Sequence, residues 1–163
     1  LFRLAKERGA NRQLHIGSSF GLDSVALSGF SRNCTIDIVE ENPEILPITQ
    51  KNISAILPAH THFFTDLPSD SLQTLSKEQP YDLIYISRLN ELQDATWLTD
   101  KTHTALKTDG VLIIDGIHAN KQGKKLWELL CKNPDFTISI DLYHLGLLYF
   151  IPLMNKKNYN AYI

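Results

Sequence analysis

The sequence predicts an α/β protein with a doubly wound, mostly parallel β-sheet that ends in an antiparallel hairpin. Three observations lead to this fold class. Short apolar strand patterns alternate five times with helical patterns, which is typical of a parallel sheet covered by helices on both faces. The run 111–114 is apolar throughout, as in a central strand that is buried on both faces. Two strand patterns near the C-terminus are joined by only three residues, so they must pair antiparallel.

Composition narrows the class of protein. A chain of 163 residues fits one domain with a single core, so we expect one domain over residues 1–163. The formal net charge of −2 argues against a protein devoted to nucleic acid. No apolar run reaches the ~18 residues of a membrane helix. Cys34 and Cys131 lie far apart, without metal-ligand spacing, which indicates free thiols in a reducing, cytoplasmic environment. The chain begins at Leu1, inside a helical pattern, and we expect that a native N-terminal segment is missing.

The first half of the chain contains three strand patterns. We expect strands at 13–16, 35–39 and 61–65. We expect helices at 1–8, 22–30, 43–55 and 66–75. Gly9 suits the left-handed residue that closes the first helix. Asn42 can cap the third helix, with Pro43 in its first turn, where a missing N–H costs nothing.

The second half continues the alternation and then breaks it. We expect strands at 81–86 and 111–115, and helices at 91–106 and 121–132. Thr108-Asp109-Gly110 reads as a turn before the fifth strand, with Gly110 at a positive φ. The hairpin strands are expected at 136–141 and 145–151, and the tail 159–163 could add an edge strand.

A turn of small residues, Gly17-Ser18-Ser19-Phe20-Gly21, follows the first strand. Such a turn lets a ligand approach the backbone closely outside the carboxyl end of a strand. A nicotinamide-binding G-x-G-x-x-G turn would need its third glycine where Leu22 stands, so the spacing argues against that cofactor. The spacing G-x-S-x-G also fits the nucleophile elbow of hydrolases. However, Ser19 follows the first strand, whereas the elbow belongs to a central strand.

The same turn resembles the first motif of class I S-adenosylmethionine-dependent methyltransferases, in which an acidic residue precedes G-x-G-x-G. The likeness runs from 13 to 151: the segment 81–86 resembles the family's fourth strand, and 106–115 resembles its approach to the fifth. Asp115-Gly116-Ile117-His118 and the segment 139–146 are similar to bacterial methyltransferases related to small-molecule O-methyltransferases. The resemblance implies a Rossmann-like fold, S-adenosylmethionine as cofactor, and methyl transfer to an oxygen or nitrogen of a small molecule.

The resemblance also implies a cofactor site at the carboxyl edge of the sheet. Glu40 matches the acidic residue that binds both ribose hydroxyls, and a carboxylate can accept two hydrogen bonds from a vicinal diol. Asp66 falls where the family often places a residue beside adenine, although a helix cap explains it equally well. The cofactor-binding candidates are His15, Gly17, Ser18, Ser19, Gly21, Glu40, Glu41, Asp66 and Ser87.

Two candidates depart from the family's pattern. His15 stands where an acidic residue precedes the first glycine, and Ser87 stands where an acidic residue ends the fourth strand. Without these two acidic residues, the site lacks negative charge that would face the cofactor's sulfonium and amino groups. The alternative function is therefore a catalytically degenerate domain that binds a nucleoside or a partner protein. A satisfied strand-end histidine is the other interpretation of His15. In relatives that bind a divalent metal, three oxygen ligands follow the fourth and fifth strands. Ser87 and Asp115-Gly116 stand at these places and supply only one of the three, so we expect no metal site.

Asp115 and His118 are the candidate catalytic residues. They follow the fifth strand at the carboxyl edge, where this fold places substrates. Histidine titrates near neutral pH, so His118 could take a proton from an acceptor hydroxyl or amine. A polar residue at a helix N-terminus is the other interpretation of His118. We expect a small-molecule acceptor, no nucleic acid and no membrane as partners, and we leave a homodimer open.

Overall fold

The structure is a computed structural model that describes residues 1–54, 56, 60–65, 79–87, 102 and 104–161. Its strands are β1 (Arg12–Ile16), β2 (Thr35–Val39), β3 (Thr61–Phe64), β4 (Tyr81–Ile86), β5 (Leu106–Asp115), β6 (Ile138–Asp141), β7 (Leu145–Tyr149) and β8 (Lys157–Asn160). The α-helices that lie wholly within these ranges are α1 (Phe2–Arg8), α2 (Leu22–Ser28), α3 (Ile45–Ser54) and α4 (Lys121–Lys132). A short 3₁₀ turn, Ser19–Gly21, leads into α2.

The eight strands form one sheet in the order β3-β2-β1-β4-β5-β7-β6-β8. The strands β1 to β5 are parallel neighbours, and β7 lies antiparallel between β5 and β6. The predicted fold class, a doubly wound sheet with a C-terminal antiparallel hairpin, is confirmed. The tail also adds an edge strand, which pairs with β6 in parallel and begins at Lys157, two residues before the expected start at 159. The strand order reverses between β1 and β4, and open sheets of this kind bind ligands at that reversal.

The two faces of the sheet carry separate parts of the core. On one face, Leu14 and Ile114 pack in a cluster with Leu126, Trp127 and Leu130 of α4. The other face carries a cluster that includes α1 and α2, and a smaller one in which β2 packs under α3. The alternation of side chains along each strand explains this division, because successive residues point to opposite faces. Both faces of the central strands are therefore apolar.

A buried carboxylate ties the amino ends of the central strands together. Asp37 accepts hydrogen bonds from the Arg12 guanidinium at 2.7 Å, the Tyr81 hydroxyl at 2.7 Å and Nδ1 of His62 at 2.8 Å. Burial is the main cause of a raised pKa for Tyr81, and the hydrogen bond to Asp37 raises it further. A buried charge is tolerated when it is paired and hydrogen-bonded in this way. We therefore regard this cluster as structural.

The start of α3 differs from the sequence prediction. The helix begins at Ile45, so Pro43 precedes it and Pro47 lies in its first turn. The side chain of Asn42 accepts a hydrogen bond from the Glu44 N–H at 2.9 Å, which closes a turn before the helix. Proline at Pro47 is tolerated because the N–H groups of the first turn have no partner within the helix.

The start of β5 also corrects the prediction. The strand begins at Leu106, which pairs with Tyr81, and a register shift follows before Val111 pairs with Leu83. The left-handed residue is Asp109, with φ 66°, so the expectation of a positive φ at Gly110 is wrong. Gly110 is required for space instead, since a Cβ there would lie 2.9 Å from the Lys107 carbonyl oxygen.

The predicted helix 66–75 and most of 91–106 lie outside the described residues. Within the described part of the chain, no helix has the length and apolar character needed to cross a membrane.

Candidate functional site

A cleft of about 250 Å³ opens at the carboxyl ends of β1, β2 and β4. Its walls come from the turn after β1, the end of β2, the first residue of α3 and the residue after β4. The lining residues are Ile16, Gly17, Ser18, Ser19, Phe20, Val39, Glu40, Glu41, Asn42, Ile45 and Ser87. Six of the nine predicted cofactor-binding residues, Gly17, Ser18, Ser19, Glu40, Glu41 and Ser87, therefore meet at one cleft.

The turn after β1 needs glycine at both of its ends. Gly17 has φ 79°, and a Cβ on it would lie 3.1 Å from the Ser87 carbonyl oxygen. Gly21 has φ 91°, and a Cβ on it would lie 2.8 Å from the Ile53 side chain. Both glycines thus combine a left-handed conformation with a close approach that only a missing side chain allows. Gly21 packs behind the turn against α3 rather than in the cleft lining.

Glu40 presents a buried carboxylate at the cleft wall and is only 8% exposed. Its Oε2 accepts hydrogen bonds from the Ser18 N–H at 3.0 Å and from the Ser18 hydroxyl. Its Oε1 accepts from the Asn42 N–H at 3.0 Å. The Ser18 hydroxyl also lies 2.7 Å from the Thr49 hydroxyl. These contacts hold the side chain of Glu40 in one orientation between the turn and β2.

Ser87 closes the side of the cleft nearest β4. Its N–H donates to the Ile16 carbonyl at 2.8 Å, which extends the β1–β4 pairing beyond the strands. Its hydroxyl lies 2.8 Å from the hydroxyl of Ser19. The two serines join the turn to the end of β4 with neutral groups that both donate and accept hydrogen bonds.

His15 lies outside the cleft lining. Its side chain is fully buried beneath α2, with Nδ1 2.8 Å from the Ser24 hydroxyl and Nε2 2.8 Å from Oε1 of Gln13. Burial lowers the pKa of His15 to about 3, although the charge of Asp37 opposes this shift. The imidazole is therefore neutral at physiological pH. The structure favours the interpretation of His15 as a satisfied histidine at the end of a strand.

Two acidic side chains at the same edge of the sheet act on the Tyr85 hydroxyl through their charge. Burial raises the pKa of Tyr85, and the charges of Asp23 and Asp115 raise it further. Asp23 lies in the first turn of α2 and Asp115 ends β5. Two carboxylates thus act on Tyr85, two residues before Ser87, although His15 and Ser87 are not acidic. Sequence reasoning missed Asp23 because its residue type at a helix start is also typical of a surface cap.

His118 forms a pair with a residue that the sequence did not single out. Its Nε2 lies 2.7 Å from Oδ2 of Asp141, the last residue of β6. The ring of Tyr143 stacks on the imidazole with centroids 5.5 Å apart. The His118 group lies at the same carboxyl edge of the sheet as the cleft. The two are apart, since β5 and β7 separate β4 from β6. Only the hairpin register brings Asp141 to His118, so no local sequence signal could have shown it.

Asp66 lies outside the described residues, and Asp115 stands between the cleft and the His118 pair. The candidates fall into a cleft group at β1, β2 and β4, and an edge group at β5 and β6. No group of three or more possible metal ligands occurs in the described parts of the chain.

The sequence matches no protein-family model and no curated protein. Solved structures are similar to it. An O-methyltransferase from Bacillus cereus in complex with S-adenosylhomocysteine is 22% identical, with a TM-score of 0.69 over 90% of this chain and 77% of that one. TomG from Streptomyces achromogenes, an O-methyltransferase of tomaymycin synthesis in complex with S-adenosylmethionine, is 17% identical, with a TM-score of 0.68 over 92% and 77%.

A protein from Staphylococcus aureus assigned as a caffeoyl-CoA O-methyltransferase is 18% identical, with a TM-score of 0.73 over 90% of this chain and 78% of that one. At these identities the comparison concerns the fold. The chain has the fold of the class I methyltransferases, and the resemblance stated from the sequence is confirmed at that level.

Proposed function

We propose that this chain is an S-adenosylmethionine-dependent methyltransferase that transfers a methyl group to an oxygen or nitrogen of a small molecule. The observation that carries the proposal is the buried Glu40 carboxylate, which faces the cleft beside the glycine turn. The sheet order places this cleft where strand order reverses, and similar solved structures hold this cofactor or its demethylated product.

The residues of the cleft fit the ribose of such a cofactor. A carboxylate offers about four acceptor positions. Oε1 of Glu40 accepts one hydrogen bond and Oε2 accepts two, one of them from the Ser18 hydroxyl. That hydroxyl can donate to Thr49 instead, since the two oxygens are 2.7 Å apart. Rotation of one hydroxyl therefore frees a second acceptor position on Glu40, and a vicinal diol needs two.

The charge of the site suits the other end of the cofactor. S-adenosylmethionine, when bound, supplies an activated methyl group on a sulfonium and carries an ammonium group. The charges of Asp23 and Asp115 reach Tyr85, two residues before Ser87, and raise its pKa. They supply negative charge that the sequence pattern led us to consider lost. This charge favours the catalytic function over the degenerate alternative.

The acceptor then lies over the ends of β5 and β7, between the cleft and His118. Methyl transfer requires alignment more than acid–base help, and the rigid carboxyl edge of the sheet supplies alignment. His118 takes the proton that an acceptor hydroxyl or amine releases. Asp115, at the end of β5, helps to orient the acceptor.

Methyl transfer tests this function directly. The protein is incubated with methyl-labelled S-adenosylmethionine and a panel of small phenols, alcohols and primary amines, and labelled product is counted. We expect transfer to at least one acceptor class, and a large decrease in the Glu40→Gln variant. Glu44→Gln is the matched control, because Glu44 is exposed on the same segment and outside the cleft lining.

Two other outcomes would change the account. Binding of S-adenosylhomocysteine without transfer to any acceptor would support the degenerate nucleoside-binding domain. Equal methyl transfer by the Glu40→Gln and Glu44→Gln variants would show that Glu40 does not bind the cofactor.

A further inference from the structure

We infer that Asp141 is a positioning residue, which holds His118 so that the lone pair on Nδ1, and not on Nε2, is the proton acceptor of the site. The catalytic use of this lone pair rests on the proposed function. The contact between His118 and Asp141 does not depend on the cofactor.

The contact between the two side chains determines the tautomer. Nε2 of His118 lies 2.7 Å from Oδ2 of Asp141, and the side chains are 23% and 9% exposed. An ionised carboxylate can only accept hydrogen bonds, so Nε2 must carry the hydrogen. In a neutral imidazole the other nitrogen, Nδ1, then has the free lone pair.

The hairpin fixes Asp141 itself. Oδ1 of Asp141 accepts a hydrogen bond from the Tyr143 N–H at 2.8 Å, and Asp141 pairs with Gly146 of β7. Tyr143 has φ 71°, so the hairpin turns sharply at this residue. Each carboxylate oxygen of Asp141 thus has a different donor. The side chain cannot rotate without losing one of these hydrogen bonds.

Aromatic stacking and a hydrogen bond of the loop after β5 also hold the imidazole of His118 in place. The Tyr143 ring stacks on it with an angle of 26° between the planes, and His144 meets the Tyr143 ring edge-on. The Gly116 N–H donates to the His144 carbonyl at 2.8 Å, which ties the loop after β5 to the hairpin. A base that is held in this manner needs little reorganisation before it accepts a proton.

The position of the pair defines where an acceptor can bind. Three strand spacings of about 4.8 Å separate the end of β4 from β6, which gives about 14 Å across the edge. An acceptor between the cleft and His118 would lie over the ends of β5 and β7 and present its hydroxyl or amine to Nδ1. The released proton passes to Nδ1 and from there to solvent.

The tautomer of His118 tests the inference without cofactor or acceptor. In protein labelled with ¹⁵N-histidine, above the pH range in which imidazole titrates, we expect the Nε2–H tautomer. Asp141→Asn keeps a carbonyl oxygen for the Tyr143 N–H, so its amide N–H₂ faces His118. We expect this variant to shift His118 towards the Nδ1–H tautomer. Ser139→Ala is the matched control on β6, since Ser139 bonds to Asn158 and not to His118.

Turnover provides the second readout. With an acceptor that the wild type methylates, we expect Asp141→Asn to lower kcat about 100-fold, as for loss of a general base. The KM for the acceptor should stay within a small factor, Asp141→Glu should recover part of the loss, and Ser139→Ala should retain kcat. An Nδ1–H tautomer in the wild type, or an unchanged tautomer and kcat in Asp141→Asn, would overturn the inference. Failure to bind S-adenosylhomocysteine would overturn the proposed function. The tautomer measurement would still test whether Asp141 positions His118.

Discussion

His15 shows what a single residue can and cannot reveal from sequence. From the sequence, a histidine stands where the resemblance predicts an acidic residue. It could not show that Gln13 and Ser24 bond both ring nitrogens, because Ser24 is brought there by the packing of α2 on β1. For the same reason the sequence missed Tyr85 and Asp141, whose partners come from distant elements.

The buried state of His15 predicts a pH dependence of stability. The pKa of His15 is about 3 in the folded protein, while an unfolded histidine titrates near 6.5. Below 6.5 the unfolded chain therefore binds a proton that the folded protein does not, and stability decreases as the pH falls towards 3. The slope approaches about 1.4 kcal/mol per pH unit for one such proton.

Urea unfolding from neutral pH down to about pH 5 measures this slope. The matched variant is His15→Gln, which keeps hydrogen-bonding groups but does not titrate. The free energy of unfolding of this variant should decrease less steeply with falling pH. Identical slopes in both proteins would show that His15 is not buried in a neutral state.

Asp23 should contribute to cofactor binding through its charge. Asp23→Asn removes one of the two carboxylates whose charges raise the pKa of Tyr85 and keeps the side-chain shape. We expect S-adenosylmethionine to bind more weakly by about 1 kcal/mol, the size of a partly screened charge interaction. Glu128→Gln, an exposed change on α4, is the control for net charge. Equal affinities in the two variants, measured by calorimetry, would contradict the role of Asp23.

At the scale of elements, the sequence predicted best where one local pattern decides the boundary. The bounds of β2, β4 and α4 agree with the prediction, because an apolar run or an amphipathic repeat marks each of them. The start of β5 was missed because Lys107-Thr108-Asp109-Gly110 has turn composition, yet Leu106 pairs with Tyr81 of the neighbouring strand. Tertiary pairing overrides local propensity there.

The contact between β7 and α4 depends on a glycine. A Cβ on Gly146 would lie 2.5 Å from the Trp127 ring, so the indole packs directly on the strand backbone. Gly146→Ala should destabilise the protein by about 1–3 kcal/mol, the usual cost of overpacking a core. Denaturant unfolding measures this loss.

The same substitution in a Trp127→Leu background separates crowding from other causes. Removal of the indole leaves space for the added methyl group, so the Gly146→Ala penalty should largely disappear there. A penalty of the same size in both backgrounds would show that Trp127 does not pack on Gly146.

At the scale of the whole molecule, the order of the strands creates the candidate site. β1 and β4 are neighbours although two strands lie between them in sequence, and this reversal brings the Gly17 turn to Ser87. The hairpin of β6 and β7 extends the same edge and places the His118 pair beyond β5. Alternating strand and helix patterns predicted the mostly parallel sheet and its C-terminal hairpin, but not the order of the strands. The side-chain contacts along the edge required the structure.

The central claim is that the cleft binds a nucleoside cofactor through Glu40, and calorimetric titration with S-adenosylhomocysteine tests it most directly. We predict saturable binding to the wild type, and binding to Glu40→Gln that is weaker by about 1–3 kcal/mol, the scale of lost hydrogen bonds to a charged group. Glu44→Gln should bind as the wild type does. No heat and no increase in melting temperature at millimolar ligand would contradict the claim.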